Sequence, residues 1–160
     1  MVKNCALFLM AALAILQVSG ADDAKEYLDA HNEARAALGV EPLKWSEKLA
    51  SASRELVLHQ RDVMGCHYTK STEYGVNQIR DWGTTIPPRT VVDGWVKEKT
   101  YYKHADNSCV PDHECGSYTQ VVWKKSLELG CAQATCANNR TSLTICFYNP
   151  PGNIKGESPY

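Results

Sequence analysis

The sequence lacks the features that direct a protein to nucleic acid or into a membrane. Seventeen Lys and Arg residues stand against eighteen Asp and Glu residues, so the formal net charge of the 160 residues is −1. Proteins that bind nucleic acid or anionic membrane surfaces usually carry a basic excess. After the first 20 residues, no stretch approaches the roughly 18 consecutive apolar residues of a membrane-spanning helix. The composition therefore argues against a nucleic-acid partner and a transmembrane segment.

Residues 1–20 are predicted to be a secretory signal peptide. Lys3 precedes a continuous apolar run, ALFLMAALAIL, and the small residues of QVSGA follow, which predicts cleavage after Gly20 or Ala21. Residues 21–160 then form one domain, which we expect to be a soluble, secreted monomer. Loss of Lys3 takes the formal net charge from −1 to −2. A retention signal of the Lys-Asp-Glu-Leu type is absent from the end of the sequence.

The cysteine count predicts three disulfides. Cys5 leaves with the signal peptide, and the remaining six cysteines are an even number in an oxidising compartment. If the last two strands form a hairpin across residues 137–141, Cys131 lies within one residue of Cys146, so that bridge is sterically reasonable. Cys136 is an odd number of steps from Cys131, so it points to the other face of the sheet and needs another partner.

The remaining cysteines can be paired by their positions. Cys109 and Cys115 bracket a short segment, VPDHE, and can close a local loop. That leaves Cys66 for Cys136. Because six cysteines allow fifteen pairings, this set is one choice among them.

Hydrophobic spacing predicts helices in the first part of the chain and strands in the last third. The predicted helices cover Ala24 to Leu38, Ser46 to about Asp62, and a segment that begins at Pro87 and Pro88. Residues 63–86 are expected to be irregular. The predicted strands are YTQVVWK, LELGCAQATC and SLTICFYN.

Two polar residues stand in unusual places. Glu98 follows Val91 by seven residues and Trp95 by three, which places its carboxylate almost on the apolar stripe of the third helix, partly buried and in need of a partner. The alternative is an edge glutamate that reaches out to water. Ser117 in CGSYTQVVW has the position of a nucleophile, but it lacks the Gly-x-Ser-x-Gly turn, which favours an ordinary small residue before a strand.

Four stretches of the chain resemble the successive signatures of one protein family. They are YLDAHNEARAALGVEPLKW, VVDGWVKEKTYY, CGSYTQVVW and CFYNPPGN. In this order they resemble the CAP superfamily, which comprises the cysteine-rich secretory proteins, insect antigen five and plant pathogenesis-related class one. The signal peptide, the six cysteines and the ending PY are similar to the plant branch. The resemblance covers Ala24 to Tyr160.

The resemblance implies an α+β fold, in which a small antiparallel sheet lies between helical layers as an α-β-α sandwich. It also implies three disulfides that agree with the pairing chosen above: Cys66–Cys136, Cys109–Cys115 and Cys131–Cys146.

Members of this family usually present two histidines and two glutamates in a central cleft, where many bind zinc or another divalent ion. The matching positions in this chain are Lys70, Val76, Glu98 and Ser117, so only the one glutamate is retained. Zinc takes imidazole, thiolate or carboxylate ligands, which lysine, valine and serine do not supply. We therefore expect no metal, no cofactor and no catalytic residue, and we disfavour a metal-dependent hydrolase.

A charge pair is the expected replacement for the ion, with Lys70 bound to Glu98 across the cleft. His67 lies beside Cys66, so its side chain should point elsewhere and not compensate for the missing ligands. His31 lies on the inner stripe of the first helix and is expected to be buried and hydrogen-bonded. The histidines expected at the surface are His59, His104 and His113.

The last eleven residues, Pro150 to Tyr160, match a pattern of the plant branch: Pro-x-Gly-Asn, five variable residues and Pro-Tyr. The resemblance implies release of a defence-signalling peptide by cleavage between Asn149 and Pro150, although Phe147 replaces the asparagine usual before the cut. A terminal, proline-rich segment without regular structure is open to proteases. The alternative is that this segment packs over the sheet as a strap.

The resemblance thus implies a plant defence protein of the apoplast that is not an enzyme and binds a sterol, a fatty acid or a protein. An apolar groove between secreted helices would suit such a ligand. Asn139 begins the N-glycosylation sequon Asn-Arg-Thr in the predicted hairpin turn.

Overall fold

The computed structural model describes residues 7–70, 73–137 and 140–160. The predicted glycosylation site Asn139 lies outside these residues. The α-helices are α1 (Leu7–Ala36), α2 (Glu47–Asp62), α3 (Pro88–Val96) and α4 (Gly116–Val121), and short 3-10 helices cover Lys97–Thr100 and His104–Asp106. The strands are β1 (Lys44–Trp45), β2 (Gly75–Trp82), β3 (Tyr102–Lys103), β4 (Ser108–Cys109), β5 (Glu128–Thr135) and β6 (Thr141–Asn149).

A four-stranded sheet in the order β1-β5-β6-β2 separates two helical layers. β1 runs parallel to β5, and the other pairs are antiparallel. One face packs against α1, α3 and α4 through a first apolar cluster that includes Tyr27, Trp95 and Tyr148. The other face packs against α2 through a second cluster that includes Leu49, Val57 and Phe147. This arrangement confirms the predicted α-β-α sandwich.

The three predicted disulfides are present. Cys131 and Cys146 are directly paired across β5 and β6, as the hairpin register requires. Cys66–Cys136 joins the segment after α2 to the end of β5, and both cysteines lie in the second cluster, on the opposite face from Cys131. Cys109–Cys115 closes the loop that precedes α4.

The stretch YTQVVWK does not form a strand, so that prediction is wrong. Its first residues lie in α4, although Thr, Val and Trp favour strands locally. Tyr118, Val121 and Val122 fall at helical spacing and pack into the first cluster. A carboxylate from another element also accepts the first amides of α4, so tertiary contacts override the local preference.

Residues 75–82, which were predicted to be irregular, form β2 and pair along their whole length with β6. The sequence of β2 does not alternate between apolar and polar residues, because polar residues occupy both faces of the strand, with Asn77 on one and Gln78 on the other.

The helix boundaries also differ from the predictions. α1 begins at Leu7, so the predicted cleavage point lies within a continuous helix. Ser46 precedes α2 as expected but makes no side-chain capping bond. Glu98 lies in the 3-10 helix that follows α3. Within the part of the chain that the structure describes, no helix is both long enough and apolar enough to cross a bilayer.

Candidate functional site

The partly buried carboxylate of Glu98 binds the N-terminus of α4. Its Oε2 accepts hydrogen bonds from the backbone amides of Ser117 at 2.9 Å and Tyr118 at 3.0 Å. The first amides of a helix have no partner within the helix, and a negative charge is favourable there. Glu98 therefore has the buried partner that its position on the apolar stripe requires, and that partner is the backbone.

Beside this contact, a chain of hydrogen bonds crosses the first cluster. His31 is fully buried; its Nδ1 lies 2.8 Å from the carbonyl of Tyr27 and its Nε2 lies 2.7 Å from the Tyr148 hydroxyl. Because a carbonyl only accepts, Nδ1 carries the proton and Nε2 accepts from Tyr148. Asn77 donates through Nδ2 to the same hydroxyl at 3.1 Å and to the Ser117 carbonyl at 2.9 Å. The chain links α1, β6 and β2 to the first residues of α4.

Burial sets the protonation state of this chain. Desolvation, with a smaller contribution from the positive charge of Arg35, lowers the pKa of His31 to about 4, against the effect of its bond to Tyr27. Desolvation also raises the pKa of Tyr148 well above its usual range. Both groups are therefore neutral at the pH of most cellular compartments. His31 is buried and satisfied, as the sequence predicts.

The four cleft positions do not form one cluster. Glu98 contacts the backbone of Ser117. Val76 packs against the second cluster, on the opposite face of the sheet from Asn77. Lys70 is exposed, and among the ion pairs of residues 7–70, 73–137 and 140–160 none joins it to Glu98. The predicted pair is therefore wrong: the carboxylate binds two backbone amides, while the ammonium remains at the surface.

This arrangement does not fit the divalent ion that the family resemblance implies. Val76 offers no donor atom, and Oε2 of Glu98 is occupied by two amides. Among the described residues, no group of three or more His, Cys, Asp or Glu side chains could hold a metal. His67 is exposed on the segment after α2. The donor groups of residues 7–70, 73–137 and 140–160 therefore do not fit a divalent ion at these positions.

Ser117 contributes its backbone amide and carbonyl to the bonds described above. His31 is the buried imidazole of this network, and both of its nitrogens already have partners. Among the described residues, no hydrogen bond pairs the Ser117 hydroxyl with a general base, which a serine nucleophile requires. The remaining histidines predicted at the surface, His59, His104 and His113, are exposed.

A buried arginine that sequence reasoning missed fixes the other end of α4. The Arg35 side chain is fully buried and donates to the carbonyls of Glu41, Val121, Trp123 and Ser126 at 2.8–3.1 Å. Desolvation lowers the pKa of Arg35 to about 10, which still leaves it charged at neutral pH. The burial of Arg35 could have been predicted from its position four residues after His31, on the same face of α1.

The C-terminal segment 150–160 packs on α4 and has no regular secondary structure, as predicted. Asn153 accepts from Thr119 Oγ1 at 2.7 Å and donates to the Gly116 carbonyl at 2.8 Å. The Tyr160 ring stacks on His104 with centroids 4.4 Å apart. These contacts support the alternative reading of this segment as a strap.

Gln120 of α4 packs against the start of β2 and against the C-terminal segment. Its Oε1 accepts from the amide of Gly152 at 3.0 Å. A Cβ on Gly75 would lie 2.3 Å from the same Oε1, and a Cβ on Gly152 would lie 2.6 Å from Cγ of Trp123. Gly75 and Gly152 therefore leave room for the side chains of Gln120 and Trp123, and the Trp123 ring makes the packing at Gly152 the less adaptable of the two.

A cavity of about 480 Å³ lies between α1, α2 and the outer edge of β5. Its walls include Tyr27, Trp45, Arg54 and Ile86. The wall also carries the charged residues Asp23 and Glu47, so apolar and polar groups both line the cavity. Pockets with apolar walls and a few polar groups are typical of sites for small ligands.

Comparison with known proteins gives one family. The model described as "CAP: Cysteine-rich secretory protein family" matches residues 28–148. The STS14 protein of Solanum tuberosum is 53% identical over 139 residues, which are 86% of this chain but 65% of that protein, so the chain spans less than two thirds of this relative. Pathogenesis-related protein 1A of Nicotiana tabacum is 42% identical over 137 residues, 85% of this chain and 80% of that protein.

Solved structures share the fold at lower identity. BmVAL-1 is 22% identical with a TM-score of 0.70, covering 86% of this chain and 81% of its own. NaASP2, solved with Zn²⁺, is 16% identical with a TM-score of 0.68, covering 86% of this chain and 85% of its own. At these identities the likeness concerns the fold.

Proposed function

From the premise that this chain belongs to the cysteine-rich secretory protein (CAP) family, we propose that it is a secreted plant defence protein that binds a ligand and is not an enzyme. The relatives named pathogenesis-related protein support the defence role. The predicted signal peptide and the three disulfides support an extracellular location, since disulfides persist in oxidising compartments.

The observation that carries the non-enzymatic role is the contact between Glu98 and α4. In a hydrolase of this type, a carboxylate in the cleft would hold an ion or activate water. Here the carboxylate accepts two backbone amides and stabilises a helix. We therefore propose that the retained glutamate has a structural role.

The proposed ligand is a sterol or a fatty acid, and the cavity between α1, α2 and β5 is the proposed place for it. A binding titration of secreted protein with fluorescent sterol and fatty-acid probes tests this. Ala24 lies in the cavity wall, so Ala24→Trp should weaken binding, whereas Ala105→Trp in the exposed 3-10 helix His104–Asp106 should not. Equal affinity for both variants would remove the cavity from the proposal, and a protein ligand would then be sought instead.

We also propose that residues 150–160 form a precursor of a signalling peptide, released between Asn149 and Pro150. Pro150 is exposed and Asn149 is partly exposed. Mass spectrometry of extracellular fluid after wounding or infection should reveal a fragment that begins at Pro150. Recovery of the intact chain alone under both conditions would contradict this role.

A further inference from the structure

The last eleven residues are bound to α4, to residues 124–126 that follow it and to the segment between β3 and β4, by contacts spread over their length. At the start, Ser126 Oγ donates to the Pro150 carbonyl at 2.8 Å. At the end, the Lys124 amide donates to the Pro159 carbonyl at 2.7 Å, and Pro159 is buried. The segment is therefore held at both ends by hydrogen bonds in addition to its covalent link.

Side chains from the rest of the domain bind the middle of the segment. Asn107 donates to the Glu157 carbonyl at 2.8 Å, and the Lys125 ammonium lies 2.7 Å from the Glu157 carboxylate. Asn153 bonds two groups of α4 while its own backbone has a φ of 56°, a conformation that asparagine tolerates better than most residues. The contacts therefore select particular residues.

An aromatic pocket receives the terminal side chain. The Tyr160 ring stacks on His104 at an interplanar angle of 7°, and its hydroxyl lies 3.3 Å from the Tyr118 hydroxyl. The Tyr102 ring packs edge-on against it, with centroids 6.3 Å apart. Stacked and edge-to-face rings add to the stabilisation from buried area.

The peptide bond between Asn149 and Pro150 is held in place by contacts of Asn149 with the start of β5 and the residue before it. The Asn149 carbonyl accepts from the Leu127 amide at 2.9 Å, and its side chain donates to Glu128 at 2.7 Å. These contacts do not involve residues 150–160. Hydrolysis adds water across the amide, leaving a carboxylate on Asn149 and a protonated secondary amine on Pro150. Both new charges form at a site that is at least partly open to solvent.

We infer that the surface of α4 and the β3–β4 arm is a peptide-binding groove that retains residues 150–160 after the chain is cut. Release then takes two steps, hydrolysis of the Asn149–Pro150 bond and a separate dissociation of the docked peptide. The inference rests on the proposed precursor role. The ligand of the groove is a peptide with Gly-Asn near its start and Pro-Tyr at its C-terminus.

The test uses the full chain with a flexible insertion between Asn149 and Pro150 that contains the recognition sequence of a specific protease. Such an insertion is tolerated because the entropic cost of a loop grows slowly with its length. After cutting, gel filtration followed by mass spectrometry separates docked from free peptide. We expect the peptide to elute with the domain. Free peptide in the first measurement after cutting would overturn the inference.

Single substitutions in the segment test which contacts retain the cut peptide. Asn153→Ala and Tyr160→Ala should each speed dissociation of the cut peptide about tenfold or more, as expected for loss of two hydrogen bonds or of an aromatic anchor. Lys155→Ala changes an exposed residue of the same segment and should leave dissociation unchanged. Equal dissociation rates for all four proteins would also overturn the inference. Because the cut is engineered, the outcome is independent of whether a natural protease cuts the chain.

Discussion

At the scale of single residues, two charged side chains hold the backbone around α4. Arg35 donates four hydrogen bonds to backbone carbonyls from a fully buried position. Glu98 accepts two from backbone amides. Together they fix both ends of α4, which has six residues and is too short to be stable alone.

Replacement of Arg35 should be strongly destabilising. Arg35→Met removes the side-chain donor to the carbonyls of Val121, Trp123 and Ser126, although the Trp123 carbonyl keeps its bond from the Ser126 amide. The loss should lower the free energy of unfolding by about 3 kcal/mol or more. Arg35→Lys should recover only part of this because an ammonium lacks the planar fork of donors. Urea denaturation measures both. Arg89→Lys at the exposed ion pair with Glu33 is the control and should stay within about 0.5 kcal/mol of the parent; an equal cost for Arg35→Met would contradict this role.

From the lowered pKa of His31 we predict how the stability of the folded protein changes with pH. Its pKa is lowered to about 4 in the folded protein, against an ordinary value of 6.5, so the unfolded chain binds the proton more readily. Stability from the neutral imidazole is therefore complete above pH 6.5 and is lost as the pH falls towards 4, by up to about 1.4 kcal/mol per pH unit.

Denaturation measured between pH 7 and 4 tests this expectation. His31→Gln should be less stable at pH 7 but show a flatter pH dependence than the parent. The exposed His59 gives a matched control, and His59→Gln should keep the parental slope. Parallel curves for His31→Gln and the parent would show that the buried imidazole does not cause the loss.

At the scale of elements, α4 connects the sheet, the 3-10 helix after α3 and the C-terminal segment. Local preference predicted a strand here, because the stretch is rich in β-branched residues. The helix forms because Glu98 caps it from an element 19 residues earlier in sequence. A distant cap leaves no local signal, which explains why this prediction failed while α2, with its regular apolar spacing, was predicted to within one residue of its start.

Gly152→Ala tests how closely the C-terminal segment packs on α4. The added methyl would lie 2.6 Å from Cγ of Trp123 and 2.7 Å from Nε2 of Gln120, so the segment must move away. We expect faster hydrogen exchange and faster proteolysis of residues 150–160. Gly116→Ala is the matched control because its Cβ would meet nothing closer than 3.9 Å. If the two variants exchange alike, the segment is held less closely than the contacts indicate.

At the scale of the whole molecule, the sequence contained the sandwich, its disulfides and the buried His31. The sandwich was implied by the family resemblance, whereas the partners of Cys131 and Cys136 and the burial of His31 were predicted from regular patterns: the parity of the two cysteines along one strand and the helical stripe of α1. The site was harder to predict because matched positions do not fix contacts. Lys70 and Glu98 correspond to neighbouring family positions, yet the lysine remains in solvent while the glutamate binds backbone amides.

For β2 and the C-terminal segment, too, the sequence did not reveal the contacts that the residues make. Asn77 and Gln78 hide strand alternation because each satisfies a specific polar partner, Tyr148 in one case and Thr69 in the other. The composition of residues 150–160 correctly indicated irregular backbone, but composition carries no information about the groove that binds them.

The central claim is that the family's cation site is replaced by a helix cap, so that the molecule acts by binding and presenting. Calorimetric titration with zinc tests it most directly, on the parent and on Glu98→Ala. The account predicts no saturable binding in the micromolar range for either protein, together with a lower melting temperature for Glu98→Ala. Micromolar or tighter binding by the parent that Glu98→Ala abolishes would contradict it.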